Sequence, residues 1–115
     1  MDREGFVEAV RRVVLDSAVT STISQLSKPA GRKPDQARLD LSAWLNGLPH
    51  SDRQKLEHII KMTANTAVFG MLCVLDGVRA IEDGPGKGAI DLRYRRGEDD
   101  ISLTDDSGEQ LHDLL

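Results

Sequence analysis

The stretch IDLRYRRGEDDISLT, Ile90 to Thr104, decides the fold class. Ile90, Leu92 and Tyr94 alternate with Asp91, Arg93 and Arg95, the period of two that marks a strand with one buried face. RGEDD reads as a turn, and Ile101 and Leu103 alternate with Ser102 and Thr104 on the return. A β-hairpin over about 89–105 is expected. Upstream the apolar spacing is three and four, so the chain reads as α+β. Three helices, the third long and central, pack with a small antiparallel hairpin and a short C-terminal helix.

Phe6, Val10, Val13, Val14 and Ala18 place one apolar stripe on a first helix from about Arg3. Its end falls between Ser21 and Leu26, where hydroxyl and β-branched residues crowd in SAVTSTISQLS. SKPAGRKP is a loop by its prolines, glycine and cations. Asp35 then caps a second helix in which Ala37, Leu41, Trp44, Leu45 and Leu48 share the buried face. Gly47 is the expected left-handed residue after it, and Pro49 blocks continuation. Ser51 and Gln54 read as a capping box for the third helix. Leu56, Ile59, Ile60, Ala64, Ala67, Val68, Met71, Leu72 and Leu75 supply its buried side. Carried to Asp83 that helix would be about 50 Å long, so a stop at Asp76-Gly77 is expected. Val78–Glu82 reads equally as a last helical turn or a short strand. The closing helix, about 107–115, docks through Leu111, Leu114 and Leu115.

With 115 residues, 39% hydrophobic and 30% charged, the chain is expected to form a single domain, 1–115, its helical part about 3–80. One cysteine, Cys73, excludes an internal disulfide and any multi-cysteine zinc site. The longest unbroken apolar run, Ala67 to Leu75, is short for a bilayer, and no secretory signal is visible. A cytoplasmic protein is the expectation.

Several chemistries fail on spacing. EDGPGKGAID holds three glycines and a lysine, but Gly86-Lys87 is followed by Gly88, and Ile81 stands where a P-loop needs its first glycine. Gly84, Gly86 and Gly88 do not make a dinucleotide fingerprint either. An EF-hand loop around Gly108 would put Leu103 and Leu114 at ligand positions. His50, His58 and His112 show no metal-binding spacing. His112 beside Asp113 has no nucleophile marked for it. LHDLL at the terminus fits a groove-docking helix, though closure of the protein's own core explains it better. No catalytic set, cofactor or metal is expected.

Charge says more. The net charge is −4, and from Glu98 onward there are seven carboxylates and no lysine or arginine. The expectation is a non-enzymatic binding protein, an acidic inhibitor, immunity-type or adaptor protein. It would hold a basic protein surface through Glu98, Asp99, Asp100, Asp105 and Asp106. The alternative is a nucleic-acid or anion binder of winged-helix-like order, using Lys28, Arg32, Lys33, Arg93, Arg95 and Arg96. Overall acidity disfavours it. The third helix also carries more apolar surface than such a core needs, so a second copy is a further expected partner.

Overall fold

The computed structural model describes residues 1–115. In chain order the elements are α1 (Arg3–Val10), a π-helical segment (Arg11–Asp16), α2 (Ser17–Ser27), α3 (Gln36–Asn46) and α4 (His50–Leu75). They are followed by β1 (Arg93–Arg96), β2 (Asp99–Ser102) and a 3-10 turn (Leu111–Leu114). α1, the π segment and α2 follow one another without a break. Three helices, a two-stranded antiparallel sheet and a final turn make the α+β fold that the hairpin pattern predicts.

The first helix starts where Asp2 caps it, its Oδ1 accepting the Gly5 N–H at 2.8 Å. Its π segment is not visible in the apolar spacing. A π turn holds about one residue more than an α turn, so it rotates later side chains by one step. Leu15 is accordingly buried, while Val13 and Val14, expected inside, stay exposed; Val7, in α1 ahead of the segment, is buried as well.

Internal contacts divide the chain into two units. The first comprises Met1–Val14 and Thr66–Leu115. Val7, Leu72, Leu103 and Leu111 form its core, with Leu92, Tyr94 and Leu114 packed around them. The hairpin pairs Arg93 with Ser102, Tyr94 with Ile101, Arg95 with Asp100 and Arg96 with Asp99. Gly97, at φ +60°, takes the first central turn position, where a type II′ turn needs positive φ. The strands proper are shorter than 89–105, although Leu103 N–H still donates to the Leu92 carbonyl at 2.7 Å.

α4 stops where Asp76-Gly77 predicts. Gly77 is left-handed at φ +76°, and the Val78 and Arg79 N–H groups both fold back on the Cys73 carbonyl, at 3.0 and 3.2 Å. Val78–Glu82 is therefore irregular, bending chain, neither helix nor strand. The closing helix reduces to the 3-10 turn, because side chains satisfy its backbone. Asp76 takes the Leu111 and His112 N–H groups at 3.0 and 2.9 Å, and Arg11 donates to the Leu114 and Leu115 carbonyls.

The second unit, Leu15–Asn65, holds α2, α3 and the first part of α4. Asp35 caps α3 as expected, accepting the Arg38 N–H at 2.8 Å. Ser27 ties the unit together. Its carbonyl accepts from Ser42 Oγ at 3.3 Å and Asn46 Nδ2 at 3.0 Å. Its hydroxyl accepts from Arg53 Nη2 at 2.8 Å.

Three readings of this unit are corrected. Gly47 sits at φ −88°, a conformation open to any residue. α4 begins at His50, with the Pro49 carbonyl accepting the Arg53 N–H at 3.0 Å, so Ser51 lies inside the first turn. Most consequentially, only Leu45 of the α3 stripe is buried, at 3% exposure, while Leu41 and Trp44 remain 49% and 55% exposed. The face that meets α2 is the one bearing Leu45, Ser42 and Asn46, and it lies to one side of the predicted stripe.

α4 is also long and apolar enough to cross a bilayer by length and composition alone, which its longest unbroken apolar run does not suggest. The same helix gives Leu72 and Cys73 to the interior of the first unit.

Candidate functional site

The hairpin brings both candidate charge sets onto one ribbon. Because Arg95 stands opposite Asp100 and Arg96 opposite Asp99, the basic strand is zipped against the acidic one. Arg93 Nε donates to Asp100 Oδ1 at 2.8 Å and its Nη1 to Asp91 Oδ2 at 2.9 Å. Arg95 adds a looser contact with Asp100 at 3.6 Å. The Arg93 bond holds the Asp100 carboxyl below its ordinary range, and the carboxylates in turn raise the Arg93 guanidinium. Asp91 is lowered first by the Ser102 hydroxyl, which donates at 2.6 Å, and then by Arg93. Two arginines of the anion-binding set are thereby occupied.

Asp105 is likewise engaged. The Ser107 hydroxyl and N–H donate to it and hold its carboxyl low, with Arg3 adding to the effect. Arg3 Nη2 meets Asp105 Oδ1 at 2.5 Å and the Asp105 carbonyl at 2.7 Å, and Nη1 reaches the Glu109 carbonyl at 2.8 Å. One guanidinium from α1 thus shapes the whole 105–109 turn. Replacing Arg3 by alanine is expected to speed amide hydrogen exchange across 105–109 by roughly tenfold. Unchanged protection there would show that the loop holds itself.

Glu98, Asp99 and Asp106 have no ion pair, and all three are exposed. Residues 91–115 hold eight carboxylates against three arginines, so a negative excess survives the internal pairing. In the second unit Lys28, Arg32 and Lys33 are exposed and free of ion pairs, as is Arg96 on the hairpin. By sequence the second unit carries seven cations to five carboxylates, and the first eight to fourteen.

Sequence spacing gave no hint of the Asp76–His112 pair, thirty-six residues apart. His112 Nδ1 lies 2.7 Å from Asp76 Oδ2, whose side chain is 2% exposed. Burial alone would raise the Asp76 carboxyl. The N–H groups of His112 and Leu111 and the imidazole outweigh burial and hold it below 3.8. His112 Nε2 faces Asp113 at 3.5 Å, and Phe69 stands edge-on to its ring at 5.6 Å. No hydroxyl or thiol bonds to this imidazole. The pair fastens the final turn to the end of α4.

The glycine corner is exposed throughout. The Gly88 N–H, which a phosphate cradle would offer to its ligand, is taken by Glu82 Oε2 at 2.9 Å. A carboxylate already fills that position. No group of three or more His, Cys, Asp or Glu side chains is placed to hold a metal.

Neither a protein-family model nor a curated protein nor a solved structure matches the chain.

Proposed function

We propose that the protein is a non-enzymatic binding protein of inhibitor, immunity or adaptor type, which holds a basic protein surface. The observation that carries this is the carboxylate excess of residues 91–115. Asp100 and Asp105 organise the hairpin and tail, while Glu98, Asp99 and Asp106 stand free to meet a partner's cations. Free carboxylates on a turn and an adjoining segment raise encounter rates and reject acidic partners. Asp100 and Asp105 are best assigned to holding the shape on which the free ones are displayed.

A nucleic-acid or anion-binding role rests on what remains unpaired, Lys28, Arg32, Lys33 and Arg96. The Lys28–Lys33 loop favours that second reading. The triple variant Glu98→Lys, Asp99→Lys, Asp106→Lys separates the two. Binding to a lysine-rich peptide at low salt should weaken by roughly tenfold or more in the variant, and should fall with added salt in the parent. Tight binding to a short DNA duplex, with none to the peptide, would overturn the proposal.

A further inference from the structure

We infer that Asp83, in the corner between α4 and the hairpin, is a site of covalent modification by isoaspartate formation. Three places put an asparagine or aspartate directly before glycine: Asn46-Gly47, Asp76-Gly77 and Asp83-Gly84. Of these, Asp83-Gly84 is the step that the fold leaves open.

The chemistry is common to all three. The glycine amide nitrogen attacks the side-chain Cγ of the residue before it. Its proton leaves with the departing water, or with ammonia where that residue is asparagine. Water then opens the five-membered succinimide at either carbonyl. One opening returns aspartate, and the other gives isoaspartate, whose main chain runs through Cβ and Cγ. From aspartate one water is lost and one regained, so no other reactant is needed. Glycine favours the attack because it has no Cβ to obstruct the nitrogen. Sequence alone would single out Asn46, since ammonia departs from an amide more readily than water from a carboxylate.

The fold closes that step. The reaction needs a glycine N–H without another partner and a side chain free to swing onto it. The Gly47 N–H donates to the Ala43 and Trp44 carbonyls at 3.1 and 3.2 Å, and the Asn46 amide donates to the Ser27 carbonyl at 3.0 Å. At Asp76 the Gly77 N–H donates to the Val74 carbonyl at 3.1 Å. The Asp76 carboxylate, 2% exposed, is itself held by the Leu111 and His112 N–H groups and the imidazole. Asp83 differs on every count. Its carboxylate has no hydrogen bond or ion pair, the Gly84 N–H has no acceptor, and both residues are exposed. Gly84 sits at φ +95°, and no atom lies within 4 Å of the place a side chain on it would take. Ring closure there displaces nothing.

The product alters the corner. Glu82 Oε2 closes this loop on the Gly88 N–H at 2.9 Å, and isoaspartate at Asp83 puts one extra main-chain atom inside the closure. The modified residue lies outside the core of Val7, Leu72, Leu103 and Leu111. Its freed α-carboxylate is the group that an S-adenosylmethionine-dependent carboxyl methyltransferase would esterify. Attack of the Gly84 nitrogen on that ester releases methanol and re-forms the ring.

The test compares each step in folded and unfolded protein. The full chain is aged at neutral pH and about 37 °C, with and without guanidinium chloride, then digested. Isoaspartyl peptides are separated from their aspartyl counterparts of equal mass and assigned by electron-transfer fragmentation, which cleaves the isoaspartyl Cα–Cβ bond. Folding should slow Asn46 and Asp76 by roughly tenfold or more, because they react only through local opening, and should slow Asp83 by less than that. Asp83→Glu should lose the product at that position with helical circular dichroism retained, since glutamate would have to close a larger ring. An Asp83 slowed by roughly tenfold or more in the folded protein would overturn the inference. So would an Asn46 or Asp76 slowed by less, or the same product persisting at position 83 in the glutamate variant.

Discussion

Replacing Asp76 with alanine is expected to lower the unfolding free energy of the first unit by about 3 kcal/mol. Three donors converge on this one carboxylate: the Leu111 N–H, the His112 N–H and His112 Nδ1. Truncation leaves all three without their partner beside a side chain that is 2% exposed. The final turn then has nothing to start it, and Leu111, fully buried at 0% exposure, loses its anchor. Asp76→Asn keeps an acceptor but loses the charge, so it should fall between the two. The pH dependence has a definite sign. The Asp76 carboxyl is held below 3.8 in the folded state. Its contribution is therefore complete above the unfolded value and is lost as pH falls through the folded one. Urea midpoints of the parent and Asp76→Ala should converge from about pH 5 downward. A gap that stays constant to pH 2 would show that the carboxylate's charge is irrelevant.

Leu72→Ala should cost about as much, 2–5 kcal/mol, by a different route. The core that it shares with Val7, Leu103 and Leu111 is small, so a cavity there cannot be filled by distant neighbours. Domains of this size are stable by only about 5–15 kcal/mol, and the substitution removes a large share of that. Thermal unfolding followed by far-UV circular dichroism should show a fall of roughly 10 °C or more. Leu72→Met, close in volume, should cost less than about 1.5 kcal/mol. Equal losses in both variants would point to helix propensity or backbone strain rather than packing.

These two residues show what the sequence made legible. Leu72 belongs to a helical apolar pattern, and the hairpin residues to an alternating one, so both could be placed inside by period alone. Asp35 as a cap and Gly97 in the turn were equally local, each being decided within four residues. Asp76 could not be found that way. Its partners lie thirty-five and thirty-six positions on, and nothing near it in sequence distinguishes it from any carboxylate after a helix.

The α3 stripe failed for a different reason. Leu41 and Trp44 were correctly read as one apolar face, but periodicity does not say which body covers that face. Both side chains are about half exposed. The π segment hid Leu15 for a third reason, since it breaks the 3.6-residue period on which the pattern depends. Of the charged residues, composition located the acidic excess. Only the strand register revealed that Asp100 is spent on Arg93 and Arg95, and only the tertiary fold that Asp105 is spent on Arg3.

The measurement that bears most directly on the proposed function is a backbone NMR titration of the full chain, once with a lysine-rich peptide and once with a short DNA duplex. With the peptide, amide shifts should concentrate at Glu98, Asp99 and Asp106 and fade as salt is raised, while the duplex leaves the spectrum unchanged. Shifts confined to Lys28, Arg32 and Lys33 on adding the duplex, with none at the hairpin turn on adding peptide, would contradict it.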